Sequence, residues 1–213
     1  MKIWLTILLI ATISITGCTR PAAAPAVVPQ PVNPALFWTF DTDAEGSLPA
    51  GAVVYSGNWT VRSEHGSPSS PNAFCQTGSG TFPAVVLSGN TYADVTVQTS
   101  FRPVSGVTDR AAGIIFHIQD VKNYYILRAN ALENNVNIYK YVNGSRITLK
   151  EGSAPVVSGK WQVLRVEVNG ADIRGFLDGK LVVEANDTTF TSGKIGLWTK
   201  ADSIACFDNV EVK

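Results

Sequence analysis

From Leu36 to the C-terminus no long stretch of this chain carries a helical period. Short β-branched and aromatic runs alternate instead with clusters of Gly, Asn, Asp, Ser and Pro. Such runs suit a pleated, half-buried backbone, and the clusters suit the turns between them. The pattern predicts strands over Trp59–Ser63, Phe74–Thr77, Thr81–Leu87, Ala93–Arg102, Ala112–Gln119, Tyr124–Ala131 and Val136–Val142. It continues through Arg146–Glu151, Gln162–Asn169, Asp172–Leu177, Lys180–Asn186, Gly193–Thr199 and Ala205–Val212. Asn143-Gly144, Asn169-Gly170 and Asp178-Gly179 lie between neighbouring runs, and each pair suits a type I′ hairpin turn. So many short strands at close spacing predict an all-β fold, a two-sheet antiparallel sandwich over residues 36–213.

The N-terminus belongs to a different class of segment. Lys2 precedes an uncharged apolar run from Ile3 to Ile15, too short for a finished membrane span, and the run ends in Ile15-Thr16-Gly17-Cys18. Charge, apolar run, small residues and cysteine in this order predict a lipoprotein signal peptide over 1–17, cut before Cys18, with lipid on its thiol. Thr19 stands where an inner-membrane retention signal would want Asp, which favours the outer membrane. Prolines at 21, 25, 29, 31 and 34 then make 18–35 an extended tether.

Composition narrows the partners. Lys plus Arg and Asp plus Glu are both 17, and the basic residues are scattered, so no stripe for nucleic acid is present. With Cys18 taken by lipid, Cys75 and Cys206 remain in an oxidising compartment. A disulfide between them is one reading, and two buried thiols acting as small hydrophobes is the other.

The segments TDRAAGIIFHIQDVKNYYILRANALENNVNIYKYVNGSRITL, GKWQVLRVEVNGADIRGFLDGKLV and GKIGLWTKADSIACFDNVEV, in that order, resemble the concanavalin A-like jelly rolls. Within them the sequence is similar to laminin-G-like and family-16-glycoside-hydrolase-like domains, including the 3-keto-disaccharide hydrolase domains. The resemblance covers roughly Phe37 to Lys213. It implies a jelly roll but not an activity, because the fold hosts lectins, hydrolases and interaction modules.

In such a fold, sugar-binding relatives use the outward face of the curved sheet. Strict alternation puts Ala112, Ile114, Phe116 and Ile118 on one face, against Ile115, His117 and Gln119 on the other. By the same rule Tyr124, Arg128, Asn130, Asn137, Tyr139 and Trp198 face away from the core. These outward residues with His117 and Gln119 form the candidate glycan site. Aromatic rings stack on sugars, and Arg, Asn, Gln and His bond hydroxyls. On this reading Trp198 is an exposed platform that can be truncated without harm to the fold. The competing reading is a merely solvated sheet face.

Asp41-Thr42-Asp43-Ala44-Glu45-Gly46 resembles half of a calcium loop, but the twelfth position is Ala52, so an EF-hand is excluded. The jelly-roll resemblance offers another route, in which Asp41 and Asp43 meet Asp208 of the last strand at a structural Ca²⁺. A polar turn is the alternative. The family 16 E-x-D-x-x-E run is missing, and His65 and His117 are too few for a multi-histidine zinc site. The expectation is therefore an envelope-anchored, non-catalytic carbohydrate-binding lipoprotein. A glycoside-cleaving enzyme of the 3-keto-disaccharide hydrolase type and a protein-interaction module are the alternatives.

Overall fold

The computed structural model describes residues 36–213, so the signal peptide, Cys18 and the tether lie outside the described residues. In chain order the strands are β1 (Leu36–Trp38), β2 (Val53–Ser56), β3 (Trp59–Ser63), β4 (Asn72–Gln76) and β5 (Ala84–Val86). They continue as β6 (Val95–Ser105), β7 (Ala111–Asp120), β8 (Asn123–Asn130), β9 (Asn135–Val142) and β10 (Ser145–Ser153). The last are β11 (Gln162–Asn169), β12 (Asp172–Leu177), β13 (Lys180–Asn186), β14 (Lys194–Trp198) and β15 (Ile204–Val212).

Two antiparallel sheets form the sandwich, as the jelly-roll reading requires. One runs β13-β12-β11-β6-β15-β4-β3, with β1 added on β15, and the other runs β10-β9-β8-β7-β14-β5-β2. The β1 and β2 runs, of 3 and 4 residues, are too short to announce themselves by alternation and exist through pairing with β15 and β5. At the β9–β10 hairpin Asn143 and Gly144 take φ values of 51° and 84°, as a type I′ turn needs. The β11–β12 hairpin differs from expectation. Asn169 still pairs with Asp172, so Gly170 and Ala171 form the loop and Gly170 alone takes positive φ.

Alternation supplies the core. Phe74, Val97, Phe101, Leu164, Val166 and Phe207 from one sheet meet Ile114, Phe116, Leu127, Val136, Ile138 and Leu197 from the other. Cys75 and Cys206 fall between these inward positions, directly opposite each other in the β4–β15 register, and are joined by a disulfide. They pack with Ala73 and Trp161 as a small separate cluster.

Candidate functional site

The outward face of the seven-stranded sheet is not open. A second apolar layer covers it, built from Ala84, Val86, Ala111, Ile115, Ile118, Tyr124, Ile126, Tyr139 and Trp198, with Tyr55, Phe82 and Tyr141 packed on top. Trp198, expected as an exposed platform, is 0% exposed. Phe82 stacks on its indole at 5.6 Å and in turn meets Tyr141 edge-on at 5.3 Å. Gly113 leaves room beneath: a Cβ there would approach the Trp198 ring to 3.3 Å and the Leu127 carbonyl to 2.8 Å. Arg146 from edge strand β10 closes the layer, its guanidinium 4.5 Å from the Tyr139 ring centre and 5.3 Å from that of Phe82. Burial, helped by neighbouring Tyr141, holds the Tyr124 phenol far above its ordinary range. The expectation that these aromatics stand free for stacking is thus corrected: they are a second core.

His117 also leaves the expected face. It takes φ 47° at a bulge, where the registers of β7 with both β8 and β14 shift. The extra residue turns Ile118 onto the outer layer and sends His117 toward Tyr125. Its Nδ1 and Nε2 lie 2.9 and 2.7 Å from the carbonyl oxygens of Phe190 and Ala93. Gln119 is exposed, and its amide donates to the carbonyls of His117 and Ser192. Both residues sit near the far end of β7 from Gly113, the register partner of Arg128. At about 3.3 Å per residue, that is roughly 13 to 20 Å along the strand.

Arg128, Asn130, Asn137 and Tyr139 do remain together, at one end of the face. Arg128 is only 1% exposed and lies over the Tyr139 ring at 5.3 Å. Its Nη2 donates to the Glu133 carboxylate and to Asn135 Oδ1, at 2.5 and 3.0 Å, while Nη1 lies 3.8 Å from Asp109. Asn130 donates to Asp109 Oδ1 at 2.8 Å, and Lys200 pairs with the other Asp109 oxygen. Asn137 donates to the Tyr139 hydroxyl at 2.8 Å, and its Oδ1 accepts the Gly152 N–H. The cluster is thus a guanidinium between two carboxylates, with an ammonium on one of them. Its solvent-facing members are Glu133 and Lys200, whose side chains are 45% and 25% exposed, against 2% for Arg128 and Asp109. Partial burial pushes the Glu133 carboxyl up, but the Asn135 amide, Arg128 and Lys200 outweigh it, so the group stays below its ordinary range. Such a cluster presents fixed acceptors and charged donors side by side, which is the chemistry that holds vicinal hydroxyls.

Sequence reasoning missed Asp109, Glu133, Asn135 and Lys200 as site members. Asp109 and Glu133 lie in connections, where alternation assigns no face; Asn135 and Lys200, which alternation puts on the outward face, lie at or just beyond strand ends. Nothing in the local sequence marks the pairing of Asp109 with Lys200 across 91 positions.

The metal candidates are distributed otherwise than expected. Asp208 is fully buried and accepts bonds from Ser69 N, Ser69 Oγ and Asn209 N at 2.6 to 2.7 Å. Burial raises its carboxyl above the ordinary range despite these bonds, and the charge of Asp41 adds to the rise. Asp41 accepts the Asn72 N–H at 3.0 Å, whereas Asp43 contributes its backbone carbonyl, to the Asn72 amide. Among the described residues, the triad of metal-capable side chains brought together is Glu64, Cys75 and Cys206, not the three aspartates. Its cysteines are spent in the disulfide.

The family profile of the 3-keto-alpha-glucoside-1,2-lyase-like domain matches residues 42–213. The chain belongs to this family. A levanase of Bacillus subtilis (strain 168) is 30% identical over 128 residues, which is 59% of this chain but only 18% of that enzyme. Among solved structures, the carbohydrate binding module CBM66 from Bacillus subtilis superposes with a TM-score of 0.64 at 24% identity, covering 75% of this chain and 93% of the module. A Bacillus licheniformis beta-glucanase gives 0.52 at 14% identity, covering 84% of this chain and 97% of the enzyme. At these identities the two structures establish the shared concanavalin A-like jelly roll.

Proposed function

We propose that this domain binds a saccharide, without cleaving it, at the polar end of the outer sheet face around Arg128. The observation that carries the reading is the Glu133–Arg128–Asp109–Lys200 array, half open to solvent beside Asn135. Its buried guanidinium fixes two carboxylates as hydrogen-bond acceptors, and Lys200 and Asn135 supply donors. Both carboxylates are committed to cations, and Glu133 is held in its charged form, which suits recognition of hydroxyls better than proton transfer. The similarity to a segment of a levanase and to a carbohydrate binding module supports the ligand class.

Titration of the full chain against levan oligosaccharides and a panel of neutral oligosaccharides tests the reading. Saturable binding is expected, weakened by Glu133→Ala and by Asn135→Ala. Asp109 stays beside the Arg128 guanidinium in both variants, and both side chains lie at the surface, so the fold should persist at some cost in stability. Absence of binding across the panel, or binding indifferent to both variants, would refute the site. The family match favours a second reading, cleavage of a 3-keto-glucoside, for which Glu133 is the carboxylate a substrate could reach. Incubation with a 3-keto-glucoside decides it: release of the aglycone, lost in Glu133→Gln, would make the domain an enzyme.

The same proposal places the domain at the envelope, held by lipid on Cys18. The order of Lys2, apolar run and Thr16-Gly17-Cys18 supports this. Cys18→Ser should release the protein from membranes, and sedimentation of the variant with membranes in high salt would overturn the anchor.

A further inference from the structure

The loop that brings Asp109 to the cluster has little apolar packing to hold it. Val107 is 89% exposed, and Thr108 is exposed as well. Yet the loop is tightly shaped. Gly106 takes φ 141°, and a Cβ there would fall 1.9 Å from the Asp109 carbonyl oxygen. The three successive N–H groups of Val107, Thr108 and Asp109 all point at the carboxylate of Asp202. Val107 N donates to Oδ2 at 2.7 Å, Thr108 N to both oxygens at 3.1 Å, and Asp109 N to Oδ1 at 3.0 Å.

Asp202 lies in the turn after β14, and that turn grips the same segment twice more. Lys200 pairs with the Asp109 side chain, and Ser203 Oγ accepts the Ala111 N–H at 3.0 Å. We propose that Asp202 is a positioning residue for the saccharide site: its carboxylate gathers the Val107–Asp109 amides and so sets where Asp109 meets Arg128, Asn130 and Lys200. The proposal rests on the saccharide reading of the cluster. Asp202 does not touch the ligand, because its two oxygens are taken by the loop. The three N–H bonds, Val107 first, hold its carboxyl down at about 2, so the clasp is charged at neutral pH. Charged acceptors make the stronger bonds of this kind, and a neutral amide cannot accept from three convergent donors without turning its own NH₂ into them.

The test compares the full chain with Asp202→Asn and Asp202→Glu. Hydrogen exchange at the amides of Val107, Thr108 and Asp109 reads the clasp with no ligand present. Affinity for levan oligosaccharides, or for the strongest binder of the neutral panel, reads its effect on the site. Asp202→Asn should speed exchange at those three amides by about tenfold or more. It should weaken binding by about tenfold, since small misplacements of a binding group are costly. Core amides such as those of Leu127 and Val166 should keep their protection, which a merely destabilised fold would not allow. Asp202→Glu, which keeps the charge, should recover part of both effects. Unchanged exchange at the three amides, or fast exchange with unchanged affinity, overturns the proposal. If the parent binds no saccharide, the saccharide reading falls and takes the claim on affinity with it. The exchange measurement then still decides whether Asp202 holds the loop.

Discussion

Truncation of Trp198 to Ala should destabilise the domain severely, because the indole is interior to a second core rather than a platform on a groove. Its neighbours are Phe82, stacked at 5.6 Å, and the sheet surface at Gly113, and its relative exposure is 0%. A buried aromatic of this size covers up to about 250 Å², or about 6 kcal/mol at 25 cal/mol per Å² of area removed from water. Alanine keeps part of that area, and partial collapse of Phe82 into the space recovers more. The net cost is therefore about 3 to 5 kcal/mol, the usual range for an interior tryptophan. At about 2 to 4 °C per kcal/mol for a domain of this length, melting should fall by roughly 6 to 20 °C. Thermal and urea unfolding of the parent, Trp198→Ala and Trp198→Phe measure it, and Phe should recover much of the loss. A loss below about 1 kcal/mol in Trp198→Ala would mean that the layer over the sheet is not packed as a core, and would restore the open groove.

Four further outcomes follow. Replacing Cys75 and Cys206 by Ser removes a bond spanning 131 positions and should cost roughly 5 kcal/mol on the chain-entropy account, read as a lower urea midpoint; an unchanged midpoint refutes it. Burial pushes Asp187 up, but Lys140, Thr189 and Tyr125 outweigh it and hold its carboxyl well below the ordinary value of 3.8, so its contribution is full above about pH 4 and fades as pH falls further. Asp187→Asn should therefore lower stability at pH 7 and flatten the acid limb of the stability–pH curve; an unaltered limb rejects the assignment. Tyr125, pushed up to about 12 by burial and Asp187, contributes below pH 10 and loses that contribution as pH rises toward 12, so its absorbance titration should lag behind that of exposed phenols. If a Ca²⁺ relieves the repulsion between buried Asp208 and Asp41, a chelator should lower the melting temperature and added Ca²⁺ should restore it; no shift either way leaves the hydrogen-bonded turn alone.

The fold was legible because period-2 alternation and turn chemistry are local signals. Leu127 and Arg128, or Ile138 and Asn137, sort to opposite faces from sequence alone, and the sheets place them so. Alternation tells which side of a strand a residue takes but not whether that side is wet. The dry second face depends on Phe82 and Arg146 folding over it from other parts of the chain, and nothing near Trp198 announces them. Nor does alternation survive a bulge. His117 takes positive φ where the pairing of β7 with both β8 and β14 shifts, so the slip that moves it off the expected face is a property of three strands together.

Arg128 keeps Asn130, Asn137 and Tyr139 beside it in the candidate cluster, whereas Trp198, Tyr124, His117 and Gln119 drop out of it. A guanidinium cannot be buried on a sheet face without acidic partners, since an unpaired charge there costs several kcal/mol. Burying Arg128 on the outer face of β8 therefore requires carboxylates within reach, and Asp109 and Glu133 on adjoining connections supply them. Asparagines and tyrosines on neighbouring strands, the companions alternation offered, cannot meet that demand. They share the face, but Asp109 and Glu133 neutralise it, and those two stand where strands end and loops can be shaped for binding. A buried cation on an outward face is thus a sharper pointer to a site than an aromatic there, because aromatics can satisfy one another, as Trp198, Phe82 and Tyr141 do.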